Sequence, residues 1–177
     1  MNELENRLDM YHAMGLSIIP VGQEGMLSPA IFQRCLKQPA IRPQLHKWFR
    51  DYPKAGVAAL LGSASGNVIA FEFGPNRVRN FPIKNFSYRK TFATKTYRGA
   101  LNLFYRVPFA CATRQHVFFG MHILGEGWPC ILPPTIDSTG YPYRILSDRP
   151  ISPAPNWLID LALNSSRNHD KPTGTAS

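Results

Sequence analysis

Residues 57–76, "VAALLGSASGNVIAFEFGPN", place two apolar runs on either side of the small-residue stretch "SASG". Runs of this length, rich in Val, Ile and Phe and bounded by Gly, Ser and Asn, predict two core strands with a tight turn between them, a pattern that fits a hairpin. The second run stops at Gly74 and Pro75 and carries one carboxylate, Glu72, near its tip. A lone carboxylate there is either a metal ligand or an ordinary strand end, and the flanking sequence has to decide which.

Upstream, Leu4, Leu8, Tyr11 and Met14 recur at helical spacing, so a helix is predicted over 3–14 with Gly15 ending it. The strand "LSIIPV" follows. Residues 22–41, rich in Gly, Pro and Gln, read as an extended loop, and Pro43 suits the first turn of a short helix carrying Leu45, Trp48 and Phe49. Downstream, residues 75–90 contain Pro75 and Pro82 without a helical period and are predicted to be irregular. The stretch 91–107, "TFATKTYRGALNLFYRV", alternates, as two strands joined at "YRG" or one strand kinked there would. Further strands are predicted at "HVFFGMHIL", "PCILP" and "YPYRIL". The run "APNWLIDLAL" has the proline start and period of a closing helix, and the polar residues 164–177 read as a disordered tail. No internal repeat is found. The order of elements predicts an α+β chain with a mixed or antiparallel sheet, as a single domain over 1–163.

Charge is distributed unevenly. The formal net charge is +9 and the pI about 9.8, which favours polyanionic partners. Between Phe73 and Gly125 there is no Asp or Glu, whereas Arg77, Arg79, Lys84, Arg89, Lys90, Lys95, Arg98, Arg106 and Arg114 all fall there. In "RVRNFPIKNFSYRKTF" aromatic residues alternate with bases, a mixture that offers cations to phosphates and rings to unpaired bases. The simpler alternative is a solvated basic loop with Phe81, Phe86 and Tyr88 packed beneath it.

Several functional classes lose support. Cys35, Cys111 and Cys130 are widely spaced and form no C-x-x-C pair, so they read as reduced, buried thiols. The five histidines have no metal-ligand spacing, no Gly-x-Ser-x-Gly elbow or P-loop occurs, and Glu126 and Asp137 sit in glycine-rich surroundings that mark them as turn residues. No apolar stretch approaches the roughly 20 residues needed to cross a bilayer, and the acidic, amphipathic N-terminus is unlike a signal peptide, so no membrane association and a cytoplasmic location are expected.

Five stretches then fall into one order. "YHAMGLSIIPV", "KQPAIRPQLHKWF", "LGSASGNVIAFEFG", "TFATKTYRGALNLFY" and "GEGWPCILPPTIDSTGYPYRIL" together resemble the bifunctional DNA primase/polymerase N-terminal domain, the Prim-Pol branch of the archaeo-eukaryotic primase superfamily. The resemblance implies a small N-terminal α/β module, about 1–60, and a palm with an RNA-recognition-like sheet, about 61–163, with an active site in the cleft between them. It also implies where this chain departs from the family. Glu72 stands at the first position of an Asp-x-Asp pair, but the second falls on Gly74, a third carboxylate position falls on His122, and the histidine that contacts the nucleotide falls on Asn102. Mg²⁺ is held by carboxylates and substrate phosphates, and neither glycine nor histidine replaces a hard oxygen ligand.

Thr96, Arg98 and Gly99 match the family's strand pair, and Thr135 replaces a serine after "PP". The expectation is therefore a catalytically inactive primase-like protein that needs no metal cofactor. It would bind nucleic acid, single-stranded DNA or a primer-template, through Arg77, Arg79, Lys84, Arg89, Lys90, Lys95, Thr96, Arg98, Gly99 and Thr135. Stand-alone relatives imply a replication accessory of a plasmid or other mobile element. The chain is expected to lack a helicase or zinc-binding segment and to work beside a replication protein such as a helicase or a primase or polymerase subunit. Two alternatives stand beside this: a nucleotide or effector sensor or protein adaptor using the same cleft, and an enzyme with an altered Mg²⁺ or Mn²⁺ site on Glu72.

Overall fold

The computed structural model of the chain describes residues 3–22, 25–26, 28–75, 90–118 and 121–167. Helix α1, Glu3–Ala13, buries Leu8 and Tyr11 and ends where Gly15 takes a φ of +78°. Only a residue without a Cβ enters that left-handed turn cheaply. Strand β1, Ser17–Gly22, follows, then the short β2, Gly25–Met26. Helix α3, Arg42–Asp51, has a proline in its first turn and buries Leu45, Trp48 and Phe49, as the sequence predicts.

Residues 22–41 are not one extended loop. They contain β2 and a helix, α2, Pro29–Lys37, whose N-cap Ser28 accepts the Ile31 amide through its side chain with Pro29 opening the first turn. Ile31, Phe32, Cys35 and Leu36 form its inward stripe, too short to stand out against the surrounding Gly and Gln.

The quoted stretch does not form a hairpin. Strand β3, Gly56–Leu60, and strand β4, Val68–Phe73, belong to different sheets and share one isolated bridge, Gly62 to Val68. Between them a 3₁₀ turn, Ser63–Ser65, is flanked by residues with positive φ, Gly62, Gly66 and Asn67, and these swing the chain out of the first sheet. Ser65 fixes the crossing: its buried hydroxyl accepts the Ser17 amide at 2.8 Å and donates to the Leu60 carbonyl at 2.6 Å. Side-chain bonds thus replace the ladder that a hairpin would have made.

The remaining strands are β5, Ala93–Lys95; β6, Leu101–Arg106; β7, Arg114–Phe118; β8, Met121–Leu124; β9, Pro129–Leu132; β10, Arg144–Ser147; and β11, Ser152–Pro153. The stretch 91–107 is two strands joined by a tight turn, and "HVFFGMHIL" is not one strand but contributes to two, β7 and β8, which pair antiparallel. A four-stranded sheet runs β2-β1-β3-β9, antiparallel throughout. The larger sheet runs β10-β5-β6-β4-β8-β7, also antiparallel, with β11 paired in parallel to the end of β6. This is an α+β architecture. The N-terminal module is interleaved with the palm in sequence, since β9 comes from the second half yet completes the first sheet along β3.

Two cores result. One lies between the sheets and takes in α1–α3, Val68, Ala70, Phe92, Phe104, Cys130 and Leu132. The other lies on the far face of the large sheet, where Ile69, Phe71, Phe73, Leu101 and Leu103 meet Leu158 and Ala162 of the closing helix α4, Asn156–Arg167. That helix extends past the expected boundary at residue 163. The aromatic chain Tyr11–Phe92–Phe104, with centroid spacings of 5.8 and 4.9 Å, ties α1 to the palm, and each such buried side chain contributes on the order of 1.5–3 kcal/mol. Tyr11 also donates its hydroxyl to the Pro133 carbonyl at 2.7 Å.

Candidate functional site

Strand period decides what can meet on the palm. On β4, Val68, Ala70 and Glu72 face the space between the sheets, while Ile69, Phe71 and Phe73 face α4. Glu72 is in register with Asn102 on β6 and with His122 on β8, and Asn102 is in register with Thr94 on β5. A single row, Thr94–Asn102–Glu72–His122, therefore crosses four adjacent strands. Three of its members were singled out from the sequence and are far apart in it. Antiparallel pairing brings them together.

The row is mostly closed off. Thr94 and Asn102 are buried, and Glu72 and His122 are half-buried. Asn102 Nδ2 donates to the sulfur of Cys130, on β9 of the other sheet, at 3.7 Å. Thr94 Oγ1 and Asn102 Oδ1 are buried without a hydrogen-bond partner among the described residues. Burial pushes the Cys130 thiol well up, and the negative charge of Glu72 adds to it. Cys130 belongs to this site although nothing in its local sequence signals it, because its neighbours come from a second sheet.

Among the described residues, the donor set around Glu72 does not suit a pair of hard cations. Glu72 is the one acidic residue that any described strand carries, and among the described residues no three His, Cys, Asp or Glu side chains converge as metal ligands. Asn102 is already turned toward a thiol. Gly74 offers no side chain, although a Cβ built there meets nothing within 4 Å.

The expected anion-binding residues are divided. Arg77, Arg79, Lys84 and Arg89 lie outside the described residues. Lys90 precedes β5, and its carbonyl accepts the Ser152 hydroxyl. The β5–β6 turn carries Thr96, Arg98 and Gly99. Thr96 shapes it, its hydroxyl accepting the Ala100 amide at 3.0 Å, and Gly99 reverses the chain at a φ of +87°. Arg98 lies 5.2 Å from the centre of the Tyr97 ring, a cation–π contact, and Tyr97 meets Tyr143 edge-on at 5.7 Å. Burial, with the negative charges of neighbouring groups, pushes the Tyr143 hydroxyl up to about 12.

Thr135 lies in the loop after β9, beside β3 of the other sheet. Its hydroxyl accepts the Val57 amide at 2.7 Å and donates to the Val57 carbonyl at 3.2 Å, so it is engaged by main chain. Arg106, counted among the basic residues, is drawn into the fold by the carbonyls of Met14, Ser65 and Gly66. Glu126 and Asp137 are turn residues, as expected. Glu126 receives the Ser63 amide and hydroxyl, and Asp137 receives the Thr139 hydroxyl and the Tyr141 amide.

No helix among the described residues is long and apolar enough to cross a membrane. No curated protein matches the chain. The profile of one family, described as "Bifunctional DNA primase/polymerase, N-terminal", matches residues 8–157, which takes in the second half of α1, both sheets and the start of α4. The α+β architecture with its two sheets is consistent with this match, and the chain belongs to the Prim-Pol family.

Proposed function

We propose that this Prim-Pol chain binds nucleic acid, single-stranded DNA or a primer-template, without carrying out nucleotidyl transfer. The observation that carries this reading is the Glu72 row. Polymerase chemistry on such a palm needs carboxylates clustered around two cations, and here one carboxylate stands between an asparagine and a histidine. The same half of the chain has nine Lys and Arg residues over 73–125 and no acid, so attraction to phosphate outlasts the metal site. Such a protein acts as an accessory beside a helicase, primase or polymerase. The test pairs two assays on one preparation: retention of labelled single-stranded, double-stranded and primer-template DNA at two salt concentrations, and primer extension with Mg²⁺ or Mn²⁺. Salt-sensitive retention with no extension is the expected result. Extension that Glu72→Ala abolishes would replace this reading with an enzyme.

A second reading has one observation in its favour. Thr94 Oγ1 and Asn102 Oδ1 sit side by side, buried and without partners among the described residues, and a polar ligand would relieve that cost. A nucleotide sensor would show a rise in melting temperature with nucleoside triphosphate and no DNA.

A further inference from the structure

We propose that the palm carries a single-strand-binding shelf on the face opposite Glu72, built from the cross-strand pair Lys95 and Arg144 with Tyr97 and Tyr141. This rests on the nucleic-acid reading above and assigns that binding to a place. Lys95 on β5 and Arg144 on β10 are directly in register, and both are exposed. Their row continues into Leu101, Phe73 and Met121, which face α4, so the pair points away from Thr94, Asn102, Glu72 and His122. Like charges directly opposite in an antiparallel pair repel. Here neither forms an ion pair among the described residues. An arrangement that costs stability and has no ion-pair compensation there is what a bound phosphate would neutralise.

The surroundings supply the rest of a nucleotide's chemistry. A cavity of about 300 Å³ opens over the pair, with walls that include Lys95, Tyr97, Tyr141, Pro142, Arg144 and Leu146. Tyr141 is 64% exposed, so an aromatic face is available beside two cations. The Asp137 carboxylate, four residues before Tyr141, is taken up by the Thr139 hydroxyl and the Tyr141 amide, which fixes the loop that presents Tyr141. Arg98 on the adjoining turn extends the positive surface from its seat on Tyr97. Cations for phosphates beside an open ring for a base form the pattern that tracks single strands without reading sequence.

The test exploits the pairing. Lys95→Glu or Arg144→Glu turns a repelling cross-strand pair into an attracting one, so the melting temperature should hold or rise. Affinity for a labelled oligothymidylate should nonetheless fall roughly tenfold, with the salt dependence of log K shallower by about 0.7 for each phosphate that is no longer neutralised. Tyr141→Ala should also weaken binding about tenfold, and this effect should vanish with an abasic oligomer of the same length, which offers phosphates but no bases. Arg50→Glu on α3 makes the same change in net charge at a distance and should leave binding within about twofold. If the wild-type protein binds and the three shelf variants bind equally well, the shelf is wrong and the wider nucleic-acid reading survives. If the wild-type protein binds no oligonucleotide at either salt concentration, both fall.

Discussion

Asn102 donates its side-chain amide to the sulfur of Cys130 across 3.7 Å, and this hydrogen bond joins the palm to the first sheet beside Glu72. The residue is therefore occupied in holding two layers together at the position where the family's resemblance calls for a nucleotide contact. Nearby, Glu72 is the one carboxylate of the row, and Gly74 leaves open space beside it.

Restoring carboxylates should restore metal binding. In Gly74→Asp/His122→Asp, two carboxylates join Glu72, and position 74 accepts a Cβ with nothing inside 4 Å. Without metal the double variant should melt below wild type, because three like charges gather at one edge. Mn²⁺ at about a hundred times its dissociation constant should then stabilise it by about 2.7 kcal/mol, with no matching shift in wild type. Thermal melts with and without Mn²⁺ check this, and an equal shift in wild type would mean that Glu72 and its neighbours already hold the ion.

Ser65 and Ser63 are two residues apart and should behave differently. Ser65→Ala removes the partner of the buried Ser17 amide and of the Leu60 carbonyl, so a destabilisation of about 1–3 kcal/mol is expected from urea unfolding. Ser63 meets Glu126 at an exposed position, and Ser63→Ala should cost no more than about 0.5 kcal/mol.

Most of the element types are written in local pattern. The apolar periods of α1 and α3 and most of the strand runs follow from residue spacing, while "YRG" marks the place of the Gly99 turn without deciding between a turn and a kink. Apart from the short helix α2, what was misread or missed depends on partners remote in sequence. "SASG" carries turn residues whether the chain makes a hairpin or crosses between sheets, and what separates the two outcomes is the Ser65 bond to Ser17, 48 residues away. The Glu72 row was legible only through the family resemblance, which supplied Asn102 and His122. Cys130 stayed hidden because its place depends on β9 joining the first sheet, and the Lys95–Arg144 pair because it depends on strand register, which local sequence does not fix.

Asp9 makes stability depend on acid pH. Its carboxylate accepts Nε and Nη2 of Arg42 at 2.6 and 2.5 Å and Nε2 of His46 at 2.7 Å, clipping α1 to α3. Those bonds, Arg42 first and His46 second, hold its pKa well below the usual carboxylate range. An unfolded Asp titrates near 3.9, so below about pH 5 the unfolded chain takes up a proton that the folded chain refuses. The contribution is present above that range and is lost as pH falls toward the folded value. Asp9→Asn should therefore be less stable than wild type at neutral pH, with the difference shrinking steadily between about pH 5 and 2 in parallel melts.

Two glycines, 74 and 125, should separate by position. A Cβ at Gly125 would lie 2.0 Å from the Cys111 carbonyl oxygen, with main chain that cannot give way, so Gly125→Ala should cost about 4 kcal/mol or leave the protein unfolded. Gly74→Ala meets open space and should stay within about 0.5 kcal/mol of wild type in the same denaturation assay.

The thiols report whether the sheets separate. Cys35, Cys111 and Cys130 are all free and buried, and burial pushes each thiol up, Cys130 furthest. The thiolate is the reactive form, so both access and ionisation protect these residues. Ellman's reagent should find none of them in the native protein at neutral pH and all three in guanidinium chloride. Cys130 lies between the sheets against Asn102, and reaching it requires the palm to part from β9. Its modification rate, followed in Cys35→Ala/Cys111→Ala, should vary with denaturant as global unfolding does. A rate that exceeds global unfolding and is insensitive to denaturant would mean that the cleft opens locally, which would expose Thr94, Asn102 and Glu72 together and favour the nucleotide-sensor reading.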